Sequence, residues 1–135
     1  MRFVDSNVLL RALTGDHPRQ TEQCRRFFRR VAAGIEVTTS EAIIVEVVYV
    51  LASSKLYAVD RRTIGDRLAR LLSLRGWQLP DLPVYLEALD LFAAHPRMDF
   101  PDALAVAHMR SRGITTILSY DRDFDRVEGV AREEP

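Results

Sequence analysis

The chain predicts an α/β fold, a three-layer α/β/α sandwich around a central, mainly parallel sheet. Short apolar runs (Phe3-Val4, Ile35 to Thr38, Ile114 to Leu118) alternate with longer stretches of helical periodicity. Short strands alternating with helices in this way argue for a parallel sheet covered by helices on both faces. Capping residues before the periodic stretches and glycines after them mark where each helix begins and ends.

The first strand and helix come from Arg2 to Leu13. Phe3 and Val4 are strand formers, Asp5 and Asn7 are small polar residues suited to caps, and Val8, Leu9, Leu10, Ala12 and Leu13 resume helical spacing. As a helix cap Asp5 contributes about 1 kcal/mol. At the carboxyl end of the first strand it also stands where open α/β sheets bind ligands. This stretch alone leaves both readings open.

From Asp16 to Gly34 a helix is predicted, capped by Asp16, with Pro18 in its first turn and Gly34 as its stop. Cys24, Phe27, Phe28 and Val31 form its apolar stripe. Arg25, Arg26, Arg29 and Arg30 lie beside or behind it, with Glu22 one turn from Arg26. Ile35 to Thr38 reads as a second strand, after which Thr39 and Ser40 offer caps for a helix over Glu41 to Ala52. That helix is apolar nearly all round, and Glu46 shares a stripe with Ala42, Ile43, Tyr49 and Val50 that is expected to face the core.

Asp60 to Arg75 predicts a further helix, with Ile64, Leu68, Leu71 and Leu72 inward and Gly76 as its stop. Trp77 to Leu79 reads as a short strand. After the turn at Pro80 to Pro83 another helix runs to Ala94, with Tyr85, Ala88, Leu89 and Phe92 inward. The segment from Lys55 to Ala94 is thus a helical hairpin inserted between α/β units. Asp99-Phe100-Pro101-Asp102 opens a last, nearly all-apolar helix that runs to Arg112 and stops at Gly113. Ile114 to Leu118 is expected to be a buried strand with Ser119 to Phe124 at its carboxyl end, and Val130 belongs to an edge strand before a frayed acidic tail. No repeat, linker or low-complexity tract interrupts the 135 residues, so one domain over 1–135 is expected.

Composition excludes some classes. The 19 basic residues balance the 19 acidic ones, so no net charge advertises a nucleic-acid partner, although a local basic patch binds phosphate whatever the total. Only Lys55 is a lysine. The single cysteine, Cys24, excludes an internal disulfide and fits a reducing cytoplasm. No signal peptide or membrane-spanning run is read from the sequence, and a soluble cytoplasmic protein is expected. A Gly-x-Ser-x-Gly elbow, a glycine-rich phosphate loop and a Cys-x-x-Cys pair are all absent.

Four acids stand out by position: Asp5, Glu46, Asp102 and Asp121. Asp5 ends a strand, Asp121 follows one, and Asp102 lies in the first turn of a helix that Asp99 is placed to cap. Each of these has a capping explanation. Glu46 has none, and on a buried face it needs an arginine or a metal as partner. Two carboxylates about 5 Å apart repel by roughly 3 kcal/mol at an effective dielectric near 20. If the four converge they call for a multivalent cation, and an all-oxygen donor set points to Mg²⁺ or Mn²⁺ rather than zinc. His17, His95 and His108 show no metal-binding spacing.

Phe3-Val4-Asp5-Ser6-Asn7, Thr38-Thr39-Ser40 with Glu46 further on, Asp99-Phe100-Pro101-Asp102-Ala103-Leu104 and Ser119-Tyr120-Asp121-Arg122-Asp123-Phe124 together resemble the PIN-domain ribonucleases, and most closely the VapC-type toxins of toxin–antitoxin pairs. Order and spacing match across essentially the whole chain. The resemblance implies a metal-dependent endoribonuclease in which Asp5, Glu46, Asp102 and Asp121 form the metal site, with Asp5 and Asp102 as direct Mg²⁺ ligands. It implies accessory roles for Asp99 and Asp123, and polar support from Asn7 and Ser119. Ser119 replaces the threonine usual at its position, keeping the hydroxyl and losing the methyl. The resemblance further implies a homodimer and a cognate antitoxin whose tail covers the acidic cleft. Arg11 and Arg122, which flank the acidic motifs, are candidate RNA contacts. Two rival readings fit the residues less well. A non-catalytic PIN-like domain that only binds RNA or protein would typically lose one of the acids, and all four are present. A receiver-like phospho-acceptor domain would need a late lysine, which this chain lacks.

Overall fold

The computed structural model describes the whole chain, Met1–Pro135, as two compact units, Met1–Leu82 and Pro83–Pro135. The elements run in the order β1 (Arg2–Phe3), α1 (Ser6–Leu13), α2 (Pro18–Ala32), β2 (Val37–Thr38), α3 (Glu41–Ala52), α4 (Arg61–Leu72), α5 (Leu82–Ala94), α6 (Phe100–Ser111), β3 (Thr116–Leu118), a 3₁₀ turn (Arg122–Arg126) and β4 (Ala131–Glu133). The α/β class with parallel strands is as the sequence predicts. No helix is long and apolar enough to cross a membrane.

In the first unit β1 pairs with β2 in parallel, Arg2 opposite Val37 and Phe3 opposite Thr38. Trp77 extends the pairing by a parallel bridge to Val37, which meets the expectation of strand character at Trp77. The core collects Leu9 and Leu10 of α1, Phe28 and Val31 of α2, Ile44, Val47 and Val48 of α3, and Ile64, Leu68 and Leu72 of α4. The sets of α2, α3 and α4 recur at three- and four-residue spacing, the signature of a helix burying one face. The Trp77 ring stacks on Phe28 at 6.0 Å between centroids, and its indole N–H donates to the Leu71 carbonyl (2.8 Å), so its polar edge is satisfied.

Two details differ from the sequence reading. Asp16 does not cap α2: His17 holds that position, and the Asp16 carboxylate instead accepts hydrogen bonds from Thr14 Oγ1 (2.8 Å) and the Tyr57 hydroxyl. Pro18 starts the helix so abruptly that the acid is left one residue too early to reach its first free N–H groups. Gly76 is not the stop of α4, which ends at Leu72. It lies where the chain returns to β2, its N–H donating to Val31 O (3.0 Å) and its carbonyl accepting from Val37 N (2.9 Å). A Cβ there would lie 2.0 Å from the Ile35 carbonyl oxygen, so the position is glycine because backbone passes against backbone.

In the second unit α5 buries Val84, Tyr85, Ala88, Leu89 and Phe92, and α6 buries Phe100, Ala103, Leu104, Val106 and Ala107. Phe92 and Phe100 meet edge to face at 5.7 Å. Gly113, at φ +67°, lets the chain leave α6 in the left-handed region. β3 pairs in parallel with β4, Thr116 opposite Ala131 through Leu118 opposite Glu133.

This unit corrects two expectations. The run Ile114 to Leu118 is not a buried strand: β3 covers only its last three residues, and Leu118 is 65% exposed. An apolar run signals a strand but not how many of its faces are covered. The acidic tail is not frayed either, because Ala131–Glu133 forms β4. Parallel backbone pairing with β3 holds it, and Arg132 adds side-chain bonds. Arg132 donates through Nε to Asp125 (3.0 Å) and through Nη1 to the Ser119 carbonyl (2.9 Å) and Glu134 (3.3 Å). The hydrogen bonds to Asp125 and Glu134 push its already high pKa further up.

Gly76→Ala is expected to destabilise the protein by roughly 1–3 kcal/mol, the usual range for forcing an extra carbon into a packed site. Urea unfolding followed by far-UV circular dichroism measures the loss, and an unchanged midpoint would contradict the close approach described.

Candidate active site

The first unit positions Asp5 through a tied corner. After β1, the Val4 N–H donates to the Thr38 carbonyl (2.8 Å), and the Val4 carbonyl accepts from the buried hydroxyl of Thr39 (2.8 Å). The chain then turns into α1 with Asp5 at the N-cap, its backbone carbonyl accepting from Val8 N (3.2 Å). Its carboxylate makes no capping bond and is exposed. Asn7, two residues on, is also exposed. Across the corner Ser40 Oγ accepts from Ile43 N (3.3 Å) and so caps α3 as expected.

Glu46 does not face the core. It is exposed, as are Ala42 and Tyr49, the last by 72%, while Ile44, Val47, Val48 and Leu51 are the buried stripe of α3. An apolar residue on nearly every side leaves periodicity no means of choosing the inward face, and the acid itself decides it: the side with the carboxylate is the one left to water. Glu46 is therefore a solvated carboxylate, and the need for a buried partner disappears.

The second unit gathers aspartates. Asp99 caps α6, its Oδ1 accepting from the Asp102 N–H (2.8 Å). Asp121 caps the 3₁₀ turn: its Oδ1 accepts from Asp123 N (2.9 Å), while its own N–H donates to Ser119 Oγ (3.0 Å). Ser119 thus supports the backbone of the last acid through the hydroxyl it retains. Asp123 faces Arg97 Nη1 at 4.0 Å. The Asp102 carboxyl is pushed up to about 6, first by partial burial, then by the charge and hydrogen bond of Asp99, then by the charges of Asp121 and Asp123.

No three histidine, cysteine or acidic side chains are drawn together tightly enough to hold an ion. What the second unit does supply is a group of hard oxygen donors, Asp99, Asp121 and Asp123, whose charges add to partial burial in raising the Asp102 carboxyl. That donor chemistry fits Mg²⁺ or Mn²⁺ and no softer metal. Of the two candidate RNA contacts, Arg11 is engaged within the chain, donating to Gln20 Oε1 (2.8 Å) and facing Asp16 (3.9 Å). Arg122 is exposed at the start of the 3₁₀ turn.

Three contributors escaped the sequence reading. Thr39 carries the buried bond to Val4, although only its capping potential is visible in sequence. Arg97 neighbours the acids, and its place two residues before Asp99 was the available signal. Arg132 steadies the Ser119 carbonyl from a tail that nothing in the sequence connects with the site.

An α/β chain with aspartates at its first strand end, at a helix start and beyond a later strand fits a nuclease-like class of acidic-site proteins. The PIN domain family profile matches residues 2–130, and the chain belongs to that family. Among curated proteins it is similar to Ribonuclease VapC13 of Mycobacterium tuberculosis, 25% identical over 98% of both chains. It is also similar to the VapC ribonuclease of Aquifex aeolicus, 26% identical over 94% of this chain and 92% of that protein. A 54-residue stretch is 46% identical to Ribonuclease VapC48 of Mycobacterium tuberculosis, covering 39% of this chain and 36% of that one. The chain is therefore a PIN-domain protein with sequence similarity to these VapC ribonucleases.

Thr39→Val keeps the shape and strands the Val4 carbonyl, so a loss of about 1–3 kcal/mol is expected in urea unfolding; an isoenergetic variant would show the bond to be dispensable. For Asp102 the sign follows from its raised carboxyl. Its folded value, about 6, lies above the unfolded 3.8, so folding favours the protonated form. That contribution is complete below the unfolded value and is lost as pH rises through the folded one. With EDTA present, Asp102→Asn is expected to melt a few degrees higher than the parent at neutral pH, and at the same temperature once the pH falls below the unfolded value. An advantage that persists in acid would refute the electrostatic cause.

Proposed function

We propose that this chain is a divalent-metal-dependent endoribonuclease, the toxin of a VapBC-like toxin–antitoxin pair, working as a single PIN domain over 1–135. The observation that carries the reading is the gathering of Asp99, Asp102, Asp121 and Asp123 in one unit, where partial burial first and the neighbouring acids second push the Asp102 carboxyl up to about 6, and a divalent cation would offset the charge they share. Support comes from membership of the PIN family across 2–130 and from relatives named VapC ribonuclease.

In this reading Asp5 and Asp102 hold Mg²⁺ or Mn²⁺, with Glu46 and Asp121 completing the acidic set. An ion held there would supply Lewis acidity toward a phosphate oxygen and a water. Asp5 brings a carboxylate that no cap consumes. Asp99 orients Asp102 through its backbone N–H, and Ser119 does the same for Asp121. Two carboxylates remain to take the proton of the attacking water. Asp121 has one oxygen committed to Asp123 N, whereas Glu46 is exposed to solvent. The partners proposed are an RNA substrate, a cognate antitoxin and a second copy of the chain, in the cytoplasm.

One observation favours a second reading, a PIN-like module that binds RNA or protein without cutting it: no three ligating side chains are drawn tightly together. Titration calorimetry with Mg²⁺ separates the two, since a non-catalytic module has no reason to lose heat of binding when all four acids are replaced by amides.

Asp5→Asn is expected to abolish Mg²⁺-dependent cleavage of RNA and to leave the circular dichroism spectrum unchanged; full residual cleavage would overturn the assignment. Induced expression is expected to arrest growth, and co-expression of the adjoining small gene to restore it. Harmless induction would remove the toxin part and leave the nuclease part standing.

A further inference from the structure

Away from the acids, one groove of the first unit stands apart by its charge. It is an open concavity of about 520 Å³, walled by the end of α1 with Leu13, by Arg25 of α2, and by Arg67, Arg70 and Leu71 of α4. Three guanidiniums line it and no carboxylate does. Several other surface arginines face acids of their own chain: Arg26 and Arg29 face Glu22, Arg110 faces Glu87, and Arg132 faces Asp125.

The three are placed to act together. Arg25 is anchored by its Nε, which donates to the Ala12 carbonyl (3.1 Å) and leaves both terminal nitrogens for a ligand. Arg67 and Arg70, exposed and three residues apart on α4, project from neighbouring positions of one helix face. The unit as a whole carries thirteen basic residues against nine acidic ones, so its field adds to the local one.

We propose that this groove binds the phosphodiester backbone of RNA, as a site separate from the acidic residues; the substrate class rests on the nuclease reading above. Guanidinium forks match phosphate oxygens in bidentate fashion, which suits arginine where lysine would serve only as a point charge. No aromatic ring lines the groove, so bases gain no stacking platform and recognition is of backbone rather than sequence. The groove thus holds RNA beyond the nucleotides being cut. An acidic peptide is the other polyanion such a surface attracts, but the concavity is open and offers no enclosed apolar pocket for an anchoring side chain.

The test uses the full chain with EDTA present, and a fluorescein-labelled oligouridylate of roughly 25 nucleotides read by anisotropy over a salt series. The double variant R67E/R70E is expected to weaken binding at least about tenfold. Its salt slope should fall by about 1.4, the loss of two phosphate contacts on a single strand. In the Mg²⁺ assay it should raise KM for the same RNA and leave kcat unchanged. R62E/R75E makes the same change of charge at exposed arginines outside the groove, and is expected to keep the parent's affinity. Unchanged RNA affinity in R67E/R70E overturns the proposal, and so does equal weakening by R62E/R75E, which would reduce the effect to net charge. Loss of binding to a polyglutamate peptide with RNA binding intact would assign the groove to a peptide and overturn it too. RNA that binds in this way but is not cleaved with Mg²⁺ would refute the nuclease reading and leave the groove's role standing.

Discussion

The buried hydrogen bond from Thr39 Oγ1 to the Val4 carbonyl is the constraint on which the arrangement of the first unit depends. A strand that ends and turns at once into a helix leaves its last carbonyl facing the interior, where an unmet acceptor is costly. Thr39 meets it from the turn after β2. Because Ser40 next in the chain caps α3, the bond ties the start of α1 to the start of α3. Asp5 and Glu46 are therefore carried by two helices that begin at one fixed corner and pack against each other. The threonine and serine that look in sequence like alternative caps do two different jobs.

Electrostatics divides the chain in a way its neutral total conceals. The first unit is rich in arginine, while the second holds six basic residues against ten acidic ones. In the second unit the surplus is concentrated at Asp99, Asp102, Asp121 and Asp123, and with partial burial as the larger cause it raises the Asp102 carboxyl. Arg97 and Arg132 temper it from the side, through Asp123 and through the Ser119 carbonyl, without pairing with Asp102 itself. A carboxyl left raised beside paired neighbours is a feature of sites that await a cation or a proton, although structural networks also produce it.

Much of this was legible in the residues. The helix over Glu41–Ala52 with its Ser40 cap, the Asp99 cap and the inward face of α5 all follow from local chemistry, which acts within one or two turns. What could not be read depends on contacts distant in sequence. Glu46 was misplaced because an all-apolar helix has no periodic face to read. Gly76 was taken for a helix stop because its true constraint, the Ile35 carbonyl, comes from another part of the chain. The tail was expected to fray because Arg132 finds Asp125 and Ser119 only through the pairing of β4 with β3. Propensity reports what a segment prefers, not what it will meet.

The caps sort the acids in a way the sequence alone did not. Four aspartates occupy helix N-cap positions: Asp5, Asp60, Asp99 and Asp121. Asp60, Asp99 and Asp121 each spend a carboxylate oxygen on a backbone N–H of the following turn. Asp5 alone does not, which forgoes about 1 kcal/mol that a cap ordinarily contributes. Its backbone is in the extended conformation a cap requires, and the first N–H groups of α1 are there to be met. A group that is placed for a stabilising bond and does not make it is free for something else. At the end of the first strand of an α/β sheet, such a carboxylate fits the metal-holding role proposed for Asp5.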